Sequence, residues 1–406
     1  MSSSTSSSSL EIAPRGPYVK ALAVTVLGMG GALALLLIFG YFADANAENI
    51  LERVTEARSY LPQIAEEEKP VVIAFGSSMT DAGFLAPMFD RDMAARGIDV
   101  KSFNFGFGGL NPYFQDYLSR RMRDAFQAEG KRVELAMVEF TPLQNTKARW
   151  EGAQPVVDSY VAMLGDGSDI WDVAREDLTR GSRMAVIKYL RNGVSAEMVT
   201  FYLGGEMFSE RSRPDAGIEP DEEKEALLEE LQPKLIQAYE DEFPDREDCD
   251  WCWKWQGAGL MREEREAQTL EWFSQYWEAL RTEQRMSDDR LWRIQCCDIE
   301  ELDFEEELVT GFIRTVKNFQ EFSNQVEVVL LPRNHDWIQR GPEAWQRLEA
   351  VLERIERETG AKVRSFEDAP EITPQHFNDT THLSRYEGNV AFTDLLVETY
   401  APLLQR

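Results

Sequence analysis

The apolar residues of the chain fall into short continuous runs separated by longer amphipathic stretches. Runs of strand length lie at 70–75, 100–105, 133–140, 326–331 and 363–366. Helical periodicity separates most of them, at 112–128, 304–324, 344–359 and 384–404. Short apolar runs are typical of strands buried on both faces by helices. The alternation therefore predicts an α/β fold with a doubly wound parallel sheet.

Residues 146–302 have a different texture and interrupt this pattern. Helical patterns cover 222–240 and 262–283, and we find no strand of the core type. We interpret the segment as a mainly helical insertion between 70–145 and 303–406. Eight of the ten tryptophans lie in it. Packing in a helical core is the favoured interpretation of these rings, and stacking on sugars is the alternative.

The N-terminal part of the chain carries a long uncharged run at 21–43. At 1.5 Å per residue it spans the ~30 Å core of a bilayer. Arg15 and Lys20 precede it and acidic residues follow, so the positive-inside rule places residues 1–20 in the cytoplasm. Residues 44–69 are interpreted as a stalk. A cleaved signal peptide is the alternative, although the run is longer than a typical signal core.

The charge balance limits the classes of partner. With 43 basic and 72 acidic residues, the net charge is -29. This acidity argues against nucleic acid as a partner, and 43% hydrophobic residues argue against global disorder. The insertion holds 36 acidic and 19 basic residues, so most of the excess lies there. The chain has no Gly-rich phosphate loop, and we expect no cofactor and no metal.

The four cysteines form two close pairs. Cys249 and Cys252 make a Cys-x-x-Cys, whereas Cys296 and Cys297 are adjacent. A bridge between sequence neighbours is strained, so we expect disulfides that join one pair to the other. A zinc site of four thiolates is the alternative, disfavoured because adjacent cysteines rarely both reach one ion.

Polar residues with catalytic potential follow three of the apolar runs. Gly-Ser-Ser ends the first run at Ser78, and a glycine-rich segment ends the second at Gly109. Asp379 and His382 precede the last helix. A serine nucleophile needs a histidine base, and the histidine needs a carboxylate to orient it. A glycine amide can approach a developing oxyanion. These residue types together predict a serine-based acyl transfer site.

The same motifs resemble those of the SGNH, or GDSL-type, hydrolases. Gly-Ser-Ser-Met is similar to the nucleophile block, 104–109 to the second block, and Asp-Thr-Thr-His to the acid and base block. The resemblance implies an SGNH-like sheet, with Ser78 as nucleophile and His382 as base oriented by Asp379. It also implies an oxyanion hole formed by the amides of Ser78 and Gly109. The resemblance covers about 180 residues in two pieces.

Two positions depart from the family pattern. Ser77 replaces the usual aspartate before the nucleophile, and is the alternative nucleophile. The usual third block is replaced by Glu-Phe-Thr-Pro-Leu-Gln-Asn, whose Asn145 could supply the missing oxyanion donor at a different offset. Arg333 and His335 follow the fourth apolar run, and they are candidate substrate-binding residues beside loop hydrogen bonding as the simpler role.

A membrane anchor with these motifs resembles the branch that acts on polymers outside the cytoplasm, such as alginate O-acetylation and D-alanyl-lipoteichoic acid transfer proteins. That resemblance implies an enzyme that transfers acyl groups to a cell-surface polysaccharide or other acceptor, beside a membrane-bound O-acyltransferase. It implies a single-pass protein of the cell (inner) membrane with a periplasmic or extracellular catalytic domain. An ester hydrolase whose insertion is a lid, and a non-catalytic assembly scaffold, are the alternatives.

Overall fold

A computed structural model describes residues 15–42, 60–109, 111–190, 214–242 and 265–405. The chain divides into two compact units. The first comprises residues 1–46 and 158–205, and the second comprises residues 47–157 and 206–406. This division assigns part of the predicted insertion to each unit.

The second unit is built on a parallel sheet of five strands in the described residues. The strands are β1 (Val71–Ser77), β2 (Lys101–Phe107), β3 (Val133–Glu139), β4 (Ser323–Leu330) and β5 (Lys362–Ser365). Their order is β2-β1-β3-β4-β5, and every neighbouring pair is parallel. The strand order therefore reverses between β1 and β3. In open α/β sheets ligands bind beyond the carboxyl ends of the strands at such a point.

Helices cover both faces of this sheet. The second unit contains the helices α2 (Ser78–Gly83), α3 (Ala86–Ala95), α4 (Pro112–Ala128), α8 (Glu222–Glu242), α9 (Ala267–Leu280), α10 (Glu283–Cys297), α11 (Glu306–Phe322), α12 (Pro342–Thr359) and α13 (Gly388–Leu404). Helix α5 (Lys147–Leu164) begins in this unit. On one face α3 and α13 pack on β1 and β3 through Phe89 and Phe392. On the other, Phe319 of α11 contacts Phe75, with ring centroids 4.9 Å apart.

Local sequence signals define several helix ends. Asn111 caps α4, its side chain accepting from the N–H of Phe114, and Pro112 occupies the first turn. Helix α12 ends at Gly360, whose φ of 69° lies in the left-handed region. The predicted helix at 262–283 ends earlier, at Leu280, because Thr282 caps a new helix by accepting from Arg285. The sequence missed this break.

The first unit contains α1 (Arg15–Phe42), the end of α5, α6 (Gly167–Glu176) and α7 (Leu178–Leu190). Residues 16–35 of α1 have a mean hydropathy of 1.7 and are long and apolar enough for a membrane anchor or a signal sequence. Within the unit, Arg180 and Arg183 both contact the buried carboxylate of Asp158. Most of the predicted stalk lies outside the described residues.

Candidate active site

Ser78 lies directly after strand β1, at the carboxyl edge of the sheet. Strand β1 ends at Ser77, and Ser78 opens the short helix α2. Its Oγ lies 2.7 Å from Nε2 of His382. The first N–H groups of a helix have no partner within it, so the amide of Ser78 is available to a ligand. Ser78 as a whole is half-buried.

The second serine of the motif has a different environment. Ser77 is fully buried, and its hydroxyl donates to Glu139 Oε1 at 2.7 Å. Oγ of Ser77 also accepts from the N–H of Met79 at 3.1 Å, and Ser77 thereby caps α2. This hydroxyl is held by its neighbours and has no histidine beside it in the described residues. Of the two serines, Ser78 is the one whose hydroxyl contacts His382, whereas that of Ser77 contacts Glu139.

The loop before α13 brings Asp379 and His382 together. Oδ2 of Asp379 lies 2.7 Å from Nδ1 of His382. Oδ1 accepts the N–H groups of Thr381 and His382, both at 2.7 Å. One carboxylate oxygen is thus fixed by the backbone and the other by the imidazole. The arrangement places the proton of His382 on Nδ1 and leaves Nε2 free to accept from Ser78.

Helix α10, from the predicted insertion, supports this loop. Nη2 of Arg293 lies 3.8 Å from Oδ2 of Asp379, and its Nε donates to Asp289 at 3.2 Å. Asp289 accepts the N–H of Thr380 at 3.1 Å and also its hydroxyl. Burial alone would raise the pKa of Asp379, but His382 and Arg293 together hold that pKa below its ordinary value. The carboxylate therefore remains ionised at neutral pH.

The glycine-rich segment after β2 lies beside the nucleophile. A methyl group placed on Gly108 would lie 3.8 Å from Cβ of Ser78. Gly109 has a φ of 73°, in the left-handed region that favours glycine. Its carbonyl accepts from Nη2 of the buried Arg149 at 2.7 Å. Arg149 thus holds the carbonyl of Gly109, and a role for the N–H of Gly109 in an oxyanion hole stays a prediction.

Asn145, the other predicted donor, lies at the end of a 3₁₀ turn after β3 (Pro142–Asn145). Its Nδ2 donates to the carbonyl of Thr141 at 2.8 Å, and its own carbonyl accepts from Glu305. The amide nitrogen is therefore engaged in the fold of the turn. A role for Asn145 in an oxyanion hole stays a prediction.

Arg333 and His335 form a separate cluster around Asp368. Arg333 donates to the carboxylate of Asp368 at 3.0 Å and to the carbonyl of Ile338 at 2.6 Å. Nδ1 of His335 lies 3.5 Å from the same carboxylate. These contacts give Arg333 a structural role and join neither side chain to Ser78 or His382. Substrate binding by the pair stays a prediction.

The cysteines pair differently from the prediction. The structure joins Cys296 to Cys297, whereas a bridge to Cys249 or Cys252 was expected. These two neighbours are the last residues of α10, which ends at Asp298 in a left-handed conformation. The helix end accommodates the bridge that strain was expected to exclude. Cys249 and Cys252 lie outside the described residues.

A groove of about 630 Å³ lies beside Asp379. Trp292, Arg293 and Asn378 are among its lining residues. Across the described ranges, no group of three His, Cys, Asp or Glu side chains has an arrangement that could hold a metal ion. The dense tryptophan segment around Trp253 lies outside those ranges.

No protein-family model matches the chain. No curated protein matches it either. The function proposed below therefore rests on the motifs of the chain and on the geometry of the site. That geometry includes three side chains that sequence reasoning missed: Glu139, Arg149 and Arg293. Of these three, only Glu139 could have been found from the sequence, because it ends an apolar strand next to the switch point of the sheet, where ligands bind.

Proposed function

We propose that the protein is a serine esterase or acyltransferase of SGNH type that works through an acyl-serine intermediate on Ser78. The observation that carries this proposal is the continuous hydrogen-bonded chain from Ser78 through His382 to Asp379, with 2.7 Å at each link. It lies at the carboxyl edge of a parallel sheet, where ligands bind in such folds.

The geometry supports a two-step reaction. Oγ of Ser78 attacks the acyl carbonyl while Nε2 of His382 takes its proton. Amides of Ser78 and Gly109 stabilise the oxyanion, where one donor is typically worth ~3–4 kcal/mol. The C–O bond to the leaving group then breaks, and His382 returns the proton to that oxygen. An acceptor hydroxyl or water next attacks the acyl carbon while Nε2 of His382 takes its proton; the bond from that carbon to Oγ then breaks, and His382 returns the proton to Oγ of Ser78.

Location and acceptor are further parts of the proposal. An apolar helix of anchor length precedes the site, and the chain is rich in acidic residues. We propose a single-span protein of the cell membrane whose catalytic unit lies outside the cytoplasm. Its acceptor there is a polysaccharide or other surface polymer, with a membrane-bound O-acyltransferase as supplier of acyl groups. Both assignments rest on the resemblance described above.

The catalytic part is tested on purified full-length protein with p-nitrophenyl acetate and a fluorophosphonate probe. We expect Ser78→Ala to abolish turnover and labelling, and mass spectrometry to find the probe on Ser78. Ser77→Ala is the comparison variant, because it removes the neighbouring hydroxyl, which caps α2, but keeps the three triad residues, so the probe should still label Ser78. Labelling of Ser77, or full turnover by Ser78→Ala, would contradict the proposal.

Hydrolysis and transfer differ only in which hydroxyl attacks the acyl-serine. Product analysis separates them, since acyl groups on an added glycan support transfer and free acid alone supports an esterase.

A non-catalytic scaffold is the second candidate function. It is favoured by Asn145, whose amide nitrogen is engaged by Thr141. A folded protein that the probe leaves unlabelled would support the scaffold.

A further inference from the structure

Glu139 is a buried carboxylate at the end of β3, on the opposite side of the switch point from the nucleophile. Its Oε2 accepts the N–H of Ser77 at 2.8 Å and the N–H of Thr80 at 3.2 Å. Its Oε1 accepts the hydroxyl of Ser77 at 2.7 Å. The hydroxyls of Thr80 and Thr141 also donate to it. Five donors thus converge on one side chain.

We propose that Glu139 is a positioning residue that fixes the turn carrying Ser78. This inference rests on the proposed function, because it assigns Glu139 to the same reaction. The two backbone N–H donors belong to residues 77 and 80, which flank Ser78 in the chain. Holding both flanks restricts the position of Oγ relative to His382. A displacement of 1 Å in a reacting atom can cost about 100-fold in rate.

The approach of the carboxylate is built into the strand. A methyl group on Gly76 would collide with Oε2 and Cβ of Glu139. The glycine of the Gly-Ser-Ser motif therefore leaves the space that the carboxylate occupies. Asn104 holds the other side of the turn, donating to the carbonyls of Thr80 and Phe84 at 3.1 and 2.8 Å.

The two oxygens of Glu139 face different kinds of donor. Two backbone N–H groups and the hydroxyl of Thr80 point at Oε2, whereas only the hydroxyls of Ser77 and Thr141, which can rotate, point at Oε1. In Glu139→Gln the amide oxygen can accept the backbone donors, and the amide nitrogen can donate to the hydroxyl oxygens. Glu139→Met removes every acceptor and leaves two buried N–H groups without a partner.

The experiment compares these variants with a matched control in the full-length protein. Glu327 lies on the neighbouring strand β4, is 3% exposed like Glu139, and pairs with Arg364. Glu327→Gln therefore perturbs an equally buried carboxylate whose partners, Arg364 and Gln325, are not part of the triad. Two readouts are used: fluorophosphonate labelling with steady-state kinetics, and amide hydrogen exchange of the peptide covering residues 76–81.

For Glu139→Met we expect labelling and kcat to fall about 100-fold with KM little changed, and exchange at Ser77 and Thr80 to accelerate. Glu139→Gln should stay within about tenfold of the wild type, because it keeps the acceptor for both amides. Glu139→Asp keeps the charge but withdraws the oxygens, so it should be slower than Glu139→Gln. Glu327→Gln should change neither readout.

The order of the glutamine and aspartate variants decides the question even if Glu139→Met does not fold. Faster labelling by Glu139→Asp than by Glu139→Gln would overturn the proposal, because charge and not acceptor geometry would then matter. Unchanged exchange at 76–81 in both variants and in Glu139→Met would also overturn it. If wild-type protein is not labelled, the proposed function fails, whereas the exchange result still tests whether Glu139 holds the turn.

Discussion

Replacement of Asp379 by asparagine tests the proton arrangement of the site. Oδ1 faces two backbone N–H donors at 2.7 Å, so the amide oxygen of the variant must take that place. The amide nitrogen then faces Nδ1 of His382, at the position where Oδ2 lies 2.7 Å away. Nδ1 becomes an acceptor, and the ring proton moves to Nε2. His382 can then no longer accept the proton of Ser78.

The loop should keep its fold in this variant, because the backbone donors retain an acceptor. We expect kcat to fall about 10⁴-fold, the usual effect of the wrong tautomer, which corresponds to ~5.4 kcal/mol of barrier. Turnover of p-nitrophenyl acetate measures it at neutral pH. Asp368→Asn is the control, since that exposed carboxylate pairs with Arg333 away from the triad. A fall below tenfold in Asp379→Asn would refute the assigned tautomer.

Two further predictions concern a charge beside the site and a carboxylate away from it. Arg293→Met should lower kcat/KM about tenfold, or ~1.4 kcal/mol, by removing the cation near Asp379, whereas Arg293→Lys should lose less; unchanged kinetics in both would contradict a role for the charge. Burial raises the pKa of Asp90 to about 6, so its contribution to stability is present below pH ~4 and is lost as pH rises through 6. Asp90→Asn keeps the acceptor for the N–H of Ser102. In urea unfolding the variant should be more stable than the wild type by up to ~3 kcal/mol at pH 8, but not at pH 4. Equal differences in stability at both pH values would count against the raised pKa.

The parallel sheet could be predicted because its strands are buried on both faces and read as continuous apolar runs. The strand predicted at 133–140 is observed at Val133–Glu139, and the helix predicted at 112–128 has the predicted ends. Strand β4 begins earlier than predicted, at Ser323, because it follows α11 directly and pairs there with Val133. The pairing of distant segments decides such boundaries, and a local pattern does not contain it.

Of the candidate site, sequence motifs predicted three residues that the structure brings together, namely Ser78, Asp379 and His382. The residues that hold them were not identified, since Glu139 and Arg149 act through contacts between segments far apart in the chain. A single sequence does not distinguish a buried glutamate with a purely structural role from one that positions a catalytic residue. The prediction that the disulfides join one cysteine pair to the other was wrong. It relied on the strain of a bridge between sequence neighbours and did not consider that Cys296 and Cys297 are the last residues of α10.

Ser78 and His382 lie 304 positions apart in the chain. During synthesis the segment bearing Ser78 emerges early, and the loop with His382 emerges only after the whole insertion and β5. If Ser78 is the nucleophile, as proposed, its hydroxyl lacks a base until that loop docks. An incomplete polypeptide would then not react with a fluorophosphonate, and labelling would report that the loop with His382 has been assembled onto the sheet.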